Sequence, residues 1–292
     1  MTVRWLVTGA GGMLGRELVT LLGAEVAAGV SVTAARHSDL DITDSSGVRA
    51  AVSGHDIVVN AAAYTDVDGA EADEATATAI NGHAVELLAS ACAESGARLI
   101  QLSTDYVLAG DATTPYPEDA PTAPVNAYGR GKLIGERAVL RHLPDTGYVV
   151  RTAWLYGAHG RNFVATMLRL AEERDTVDVV DDQRGQPTWT RALAAQLVEL
   201  GTAAVAGSAP PGIYHGTASG ETTWYGLARA VFEAAGHDPD RVRATTSDMF
   251  PRPARRPAYS VLGHDRWKLA GVTPQPDWAD SLRTALESWR TV

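Results

Sequence analysis

Short apolar runs alternate with longer amphipathic stretches through the first half of the chain. Trp5 to Val7 is an apolar run of strand length that stops at a cluster of glycines, and Met13, Leu14, Leu18, Leu21 and Leu22 then recur at helical spacing. Residues 30–34 read as a second strand, followed by a turn-like segment at 39–44 and a short helix over 45–52. A third strand is predicted at 56–60, then a long helical stretch at 71–95 interrupted near Asn81 and Gly82, then strands at 99–103 and 148–152. Strand and helix in alternation predict an α/β protein with a doubly wound parallel sheet, in which ligands bind beyond the carboxyl ends of the strands. The residues just after each strand are therefore the ones to inspect.

The second half is less regular. Helices are predicted at 162–173, 192–200, 223–235 and 278–289, with short strands at 177–180 and 213–215 between loops rich in Pro and Arg. A chain of 292 residues is long for one core. The pattern predicts a dinucleotide-binding domain over 1–156 and a smaller C-terminal substrate-binding lobe over 157–292, part of which packs back on the sheet.

Composition narrows the function. The hydrophobic content of 45% supports a packed core, and the formal net charge of −10 without a Lys/Arg block argues against nucleic acid as a partner. No apolar run approaches the ~18 residues of a membrane span, and the first apolar run is too short for a signal-peptide core, so the expected location is cytoplasmic. The single cysteine, Cys92, falls in a helical pattern and is expected to pack in the core. Eight scattered histidines lack the spacing of a zinc site, and the acidic pairs Asp66/Asp68 and Asp181/Asp182 read as surface charge, so no metal is expected.

The chemistry begins at the first turn. Gly9, Gly11, Gly12 and the backbone of Met13 and Leu14, with Gly15 behind them, lie between a strand and a helix. There the unpaired N–H groups of the helix start favour a pyrophosphate. The glycines at 9, 12 and 15 have a three-three spacing rather than the two-three spacing of the common dehydrogenase fingerprint. A glycine-rich turn in any α/β protein is the alternative reading. Further on, Tyr128 and Lys132 stand four apart at a helix start, which places them on one face, downstream of the hydroxyl of Thr104 at a strand end.

These residues together resemble the extended short-chain dehydrogenases/reductases. Leu40-Asp41-Ile42-Thr43-Asp44, Asn60-Ala61-Ala62-Ala63-Tyr64-Thr65 and Ser103-Thr104-Asp105-Tyr106-Val107 narrow the resemblance to the dTDP-4-dehydrorhamnose reductase family. So do Arg151-Thr152-Ala153-Trp154-Leu155-Tyr156-Gly157, Asp182-Gln183-Arg184-Gly185-Gln186-Pro187-Thr188, and Arg255-Arg256-Pro257 with Ser260 and Leu262. The likeness covers nearly the whole chain. It implies a Rossmann domain and reduction of the 4-keto group of a dTDP-4-keto-6-deoxyhexose, dTDP-4-dehydro-L-rhamnose giving dTDP-L-rhamnose. Tyr128 is implied as proton donor, with Lys132 favouring its phenolate and holding the nicotinamide ribose, and Thr104 as hydrogen-bond donor to the substrate oxygen.

For the cofactor, the resemblance places Asp41 and Ile42 near the adenine, and the small Ala61, Ala62 and Ala63 let backbone approach the dinucleotide. The second strand ends in Arg36 rather than an acid, which predicts NADPH, with NADH possible, through contact of Arg36 with the extra phosphate. For the substrate, Thr104, Asp105, Tyr106, Trp154, Asn162, Arg255 and Arg256 are the candidates, with one arginine clamping the diphosphate. Core Trp and solvated Arg are the alternatives. Relatives can hold a magnesium ion between subunits; Glu17 matches one of those acids, but Arg191 stands where another would be, so a monomer or weak homodimer without bridging metal is expected. A 4-ketoreductase of an antibiotic sugar such as dihydrostreptose is a close alternative. A non-catalytic NADP-binding regulatory subunit is a distant one, disfavoured because Thr104, Tyr128 and Lys132 are all present. An epimerase or dehydratase of the same fold is disfavoured because Asp105 is followed by Tyr106 rather than a second acid.

Overall fold

The computed structural model describes residues 2–24 and 29–290. β1 (Val3–Thr8) runs through the glycine turn into α1 (Met13–Ala24), and β2 (Val30–Ala35) is followed by α2 (Ser45–Val52) and β3 (Ile57–Asn60). The long helical stretch is divided into α3 (Gly69–Ala72), α4 (Glu74–Thr78), a π-helical turn (Ala79–His83) and α5 (Ala84–Ser95). The interruption read at Asn81 and Gly82 falls inside that π turn. β4 (Arg98–Thr104) ends in a 3-10 turn (Asp105–Val107), and α6 (Ala127–His142) leads to β5 (Gly147–Thr152).

Next come β6 (Leu155–Tyr156), α7 (Phe163–Glu173), β7 (Val177–Val180), β8 (Arg184–Gly185), β9 (Thr188–Trp189) and α8 (Thr190–Val205). β10 (Gly212–His215), β11 (Thr222–Thr223), α9 (Trp224–Ala234), β12 (Val242–Thr245), α10 (Asp265–Leu269) and α11 (Trp278–Arg290) complete the described chain. Among the described residues no helix is long and apolar enough to cross a membrane.

The central sheet is six-stranded and parallel throughout, in the order β10-β5-β4-β3-β1-β2. Each inner strand alternates its apolar residues between two cores, because successive side chains leave opposite faces. Trp5, Val7, Ile57, Val59, Ile100, Leu102 and Val150 enter one core with α1 and α8; Leu6, Val58, Leu99 and Val149 enter the other with α2 and α5. Cys92 is buried in the second core. Fully burying one such Leu or Val contributes about 1.5–3 kcal/mol, so this double layer fixes the sheet that carries the site.

Two elements from the second half, α8 and β10, belong to this layer. β10 extends the sheet beside β5, and α8 packs close to β1, where a Cβ on Gly201 would lie 2.2 Å from the ring of Trp5. A further core, with Tyr156, Val164, Met167, Val179, Leu227, Phe232, Val242, Leu282 and Leu286, joins α7, α9 and α11 into the lobe beyond the carboxyl ends of the strands.

Candidate active site

The glycine turn is shaped by close backbone approach. Gly9 has φ +66°, a conformation that favours glycine, and a Cβ there would lie 2.5 Å from the Ala62 nitrogen. A Cβ on Gly15 would lie 2.2 Å from the Gly9 carbonyl, so that glycine lets α1 rest on the turn. Gly12 N–H donates to the Gly9 carbonyl at 2.9 Å. Met13 and Leu14 begin the helix, where N–H groups have no carbonyl one turn back. Ala61, Ala62 and Ala63 follow β3 beside this turn, and the stem of Arg36 lies 3.8 Å from where a Gly11 Cβ would be. Arg36 is exposed, as a contact to a 2′-phosphate requires. A bare-backbone cradle, a helix start and a guanidinium at its rim fit a phosphorylated dinucleotide. Asp41 is exposed and holds Thr43 through Oδ1 (2.9 Å to the nitrogen, 2.7 Å to Oγ1), while Ile42 is buried.

Tyr128 and Lys132 sit one turn apart on α6, and glycines decide where that helix lies. Asn126 caps it by accepting from Gly129 N–H at 2.8 Å. A Cβ on Gly129 would lie 2.2 Å from the Tyr106 carbonyl, and one on Gly135 would lie 2.4 Å from the Asn81 carbonyl in the π turn. The helix is thereby drawn against the end of β4 and against the π turn at once. The Tyr128 ring meets Tyr106 edge-on at 6.2 Å and 90°. Thr104 Oγ1 donates to Asp105 Oδ1 (2.9 Å) and accepts from Tyr106 N–H (3.1 Å).

The charges around this group set its protonation. Burial pushes the Asp105 carboxyl up to about 6, against hydrogen bonds from Ser260 and Thr104 that lower it. Burial, then the Asp105 charge, raises the Tyr128 phenol above its ordinary value. Burial also brings the Lys132 ammonium down to about 8, partly opposed by Glu136. The shift of the phenol comes from burial and Asp105, and runs opposite to the one expected from Lys132. The lysine donates to the Leu102 carbonyl at 2.7 Å, and desolvation with the neighbouring carboxylate disfavours the phenolate.

The substrate candidates are divided. Arg256 meets Tyr106: its guanidinium lies over the ring at 5.9 Å and pairs with Asp68 at 3.1 Å. Arg255 is exposed, and its carbonyl accepts from Asn126 Nδ2 at 3.0 Å. Asn162 uses its side chain to cap α7, accepting from Ala165 N–H and donating to the Gly157 carbonyl, both at 2.9 Å. Trp154 is half-buried and has φ +48°, the one positive value outside glycine among the described residues. It stacks on Trp224 at 3.6 Å and 10°, and Phe163 leans on Trp224 at 4.7 Å.

Several contributors were not singled out from sequence. Asp68, read as surface charge, holds the 250–257 loop by accepting from Ala254 N–H at 3.2 Å and pairing with Arg256. Asp181 and Asp182 accept from Thr223 and Ser247. Buried Glu136 accepts from Ser103 (2.5 Å) and from two nitrogens of buried Arg151 (2.9 Å each), one turn beyond Lys132. One available signal was the spacing Tyr128, Lys132, Glu136, four residues apart each time. Another was lysine usage: of 25 basic residues only two are Lys, and Lys132 is one.

A family model described as the RmlD substrate binding domain matches residues 3–291. The dTDP-4-dehydrorhamnose reductase of Streptomyces griseus is 58% identical over 281 residues, covering 96% of this chain and 91% of that protein. The chain belongs to the dTDP-4-dehydrorhamnose reductase family. The resemblance read from the motifs is borne out, and with it an oxidoreductase on a doubly wound fold. The dTDP-4-keto-6-deoxy-D-glucose reductase of Streptomyces niveus is 52% identical, covering 98% of this chain and 97% of that one. Among solved structures, the dTDP-4-dehydrorhamnose reductase of Bacillus anthracis in complex with NADP has a TM-score of 0.91 at 34% identity, covering 99% of this chain and 100% of that one. Reductases of this family thus share the whole architecture described above, both the sheet and the lobe.

Proposed function

We propose that the protein reduces the 4-keto group of a dTDP-4-keto-6-deoxyhexose with NADPH, converting dTDP-4-dehydro-L-rhamnose to dTDP-L-rhamnose. One observation carries the reading. Tyr128, on α6 one helical turn from Lys132, meets Tyr106 edge-on and feels the charge of Asp105, the carboxyl to which the Thr104 hydroxyl at the end of β4 donates. Bound in the glycine cradle, the dinucleotide supplies a hydride. Tyr128 donates its proton to the ketone oxygen as that oxygen gains charge, and Thr104 Oγ1 turns from Asp105 to the same oxygen. Lys132 holds the nicotinamide ribose and stabilises the phenolate left behind. Arg256 meets the diphosphate in place of Asp68, and the Trp154–Trp224 stack offers its face to the base or sugar.

The NADP complex of the Bacillus anthracis relative supports NADPH, as does Arg36 at the rim of the cradle. The enzyme is read as cytoplasmic and as a monomer or weak homodimer; Arg191, which stands where a second acid would be needed for a bridging metal, lies 3.9 Å from Glu17. Reduction of a D-configured 4-ketosugar is the second reading, favoured by the 52% identity to the Streptomyces niveus reductase.

The test is NADPH oxidation by purified protein with each dTDP-4-ketosugar. Tyr128→Phe is expected to lower kcat by about 10²–10⁴-fold with the Kd for NADPH unchanged. Rapid turnover by that variant would remove Tyr128 as the acid. Arg36→Ala is expected to weaken NADPH binding by about ten- to a hundredfold and leave NADH binding alone, the loss of one charge-assisted contact. Equal loss for both cofactors would assign the arginine to the turn itself.

A further inference from the structure

A row of buried hydrogen bonds runs from the carboxyl ends of β1 and β3 to the middle of β4, and so from the glycine turn to Lys132. Thr8 Oγ1, at the end of β1, donates to Asn60 Oδ1 at the end of β3 (2.5 Å), and the same oxygen accepts from Ala62 N–H (3.2 Å). Asn60 Nδ2 donates to Gln101 Oε1 on β4 (2.7 Å), and Gln101 Nε2 donates to the Leu102 carbonyl (2.7 Å). Lys132 Nζ donates to that carbonyl too (2.7 Å). All four side chains are buried.

The polarity of this row is set at one end. A backbone N–H can only donate, so Ala62 fixes which atom of the Asn60 amide is the oxygen. Asn60 must then donate to Gln101, which presents its oxygen and keeps its NH₂ for Leu102. The turn beside the dinucleotide cradle is thereby tied, bond by bond, to the oxygen that seats the lysine. The charged and titratable groups around Lys132 are otherwise Tyr128 one turn earlier, with Asp105 beside it, and Glu136 one turn later, itself paired with Arg151 from β5. Gln101 is neutral and shares the acceptor without adding a countercharge.

We propose that Gln101 is a positioning residue, which seats the Lys132 ammonium on the Leu102 carbonyl and holds it in register with the turn at Ala61–Ala63. The role rests on the reading of Lys132 as part of the reductase machinery, and Gln101 acts only through the shared carbonyl. Losing it leaves Asn60 Nδ2 without an acceptor and Leu102 with one donor instead of two.

The chain's two lysines, Lys132 and Lys268, make a direct test. Full-length protein labelled with ¹³C at lysine Cε gives two resonances, and Lys268, exposed and 2.8 Å from Asp265, is the internal control. In the wild-type protein Lys132 is expected to titrate near 8. Gln101→Glu keeps the acceptor for Asn60 and brings a carboxylate beside the ammonium, so the Lys132 titration is expected to rise by about one to three units while Lys268 stays put. Gln101→Leu removes both bonds and is expected to lower kcat by about tenfold or more through misplacement of Lys132. An unmoved Lys132 titration in the Glu variant, or undiminished kcat in the Leu variant, overturns the proposal. If the Leu variant does not fold, the Glu titration decides. If wild-type protein turns over neither ketosugar, the reductase reading fails by itself, and the titration still answers for Gln101.

Discussion

Asp105 shows how one buried carboxyl governs its neighbours. Its pKa is raised from 3.8 to about 6 by burial, so the folded protein holds that proton more tightly than the unfolded chain does. The raised value favours the fold below about pH 4, and that contribution is lost as the pH rises through about 6. A rise of about two units corresponds to about 3 kcal/mol at neutral pH. Asp105→Asn keeps an oxygen for Thr104 and carries no charge. It is expected to stabilise the protein by about 1–3 kcal/mol near pH 7 and to change little near pH 4, read from urea midpoints. A loss of stability at pH 7 would show that the ionised carboxylate is better satisfied than its burial implies. The same variant removes the charge that helps to keep Tyr128 protonated. That residue-level coupling was invisible in the motif, because spacing alone cannot say which carboxyl is dry.

Helix α6 is the element on which the site depends. Its sequence, Tyr128-Gly129-Arg130-Gly131-Lys132-Leu133-Ile134-Gly135, is a poor helix former because glycine disfavours the helical backbone by about 1 kcal/mol each. The structure explains two of the glycines by approach distances to Tyr106 and Asn81 that admit no Cβ. The helix is anchored by the Glu136–Arg151 pair, both side chains 1% exposed, with Ser103 on the same carboxylate. Glu136→Gln leaves a buried guanidinium with its charge uncompensated and is expected to cost about 3–5 kcal/mol of unfolding free energy in urea. The exposed Arg130–Glu74 pair at 2.7 Å provides the contrast: Glu74→Gln is expected to cost at most about 1 kcal/mol, since water screens it. Equal losses in the two variants would refute the distinction between them.

Over the whole molecule, two histidines that burial disfavours in their charged form couple the fold to mildly acidic pH. His215 is brought down to about 3 by burial and by the neighbouring Arg151 charge, and His264 to about 4 by burial. His215 Nδ1 donates to the Gly263 carbonyl at 2.9 Å, and His264 meets Thr217 at 2.7 Å, so both stitch the C-terminal segment to β10 and the loop after it. Below about pH 6.5 the unfolded chain takes up protons that the fold refuses, so stability falls with pH at about 1.4 kcal/mol per unit for each histidine. Asp105 offsets one such proton between about pH 4 and about pH 6. Urea midpoints are therefore expected to drop between about pH 6.5 and about pH 5, and a flat profile there would mean that His215 and His264 are charged in the fold.

Residue types and local periods were enough to establish the alternation of strand and helix, because period-two and period-3.6 patterns are local and each parallel strand carries its own apolar run. They were enough also for the glycine turn and the family, and to single out Thr104, Tyr128 and Lys132 as candidates, since these are written as residue types at fixed spacing. Packing settled the rest. That α8 and β10 return to the sheet depends on which faces remain uncovered once β1 to β5 have packed, and no local pattern records that. Arg256 rather than Arg255 reaches the Tyr106 ring, and it pairs there with Asp68, distant in sequence. The upward shift of the Tyr128 phenol arises from burial, and the row from Thr8 through Asn60 and Gln101 to Lys132 from partners 30 to 52 residues apart. Desolvation and long-range hydrogen bonds are properties of the packed interior, and the linear chain contains them only once it is folded.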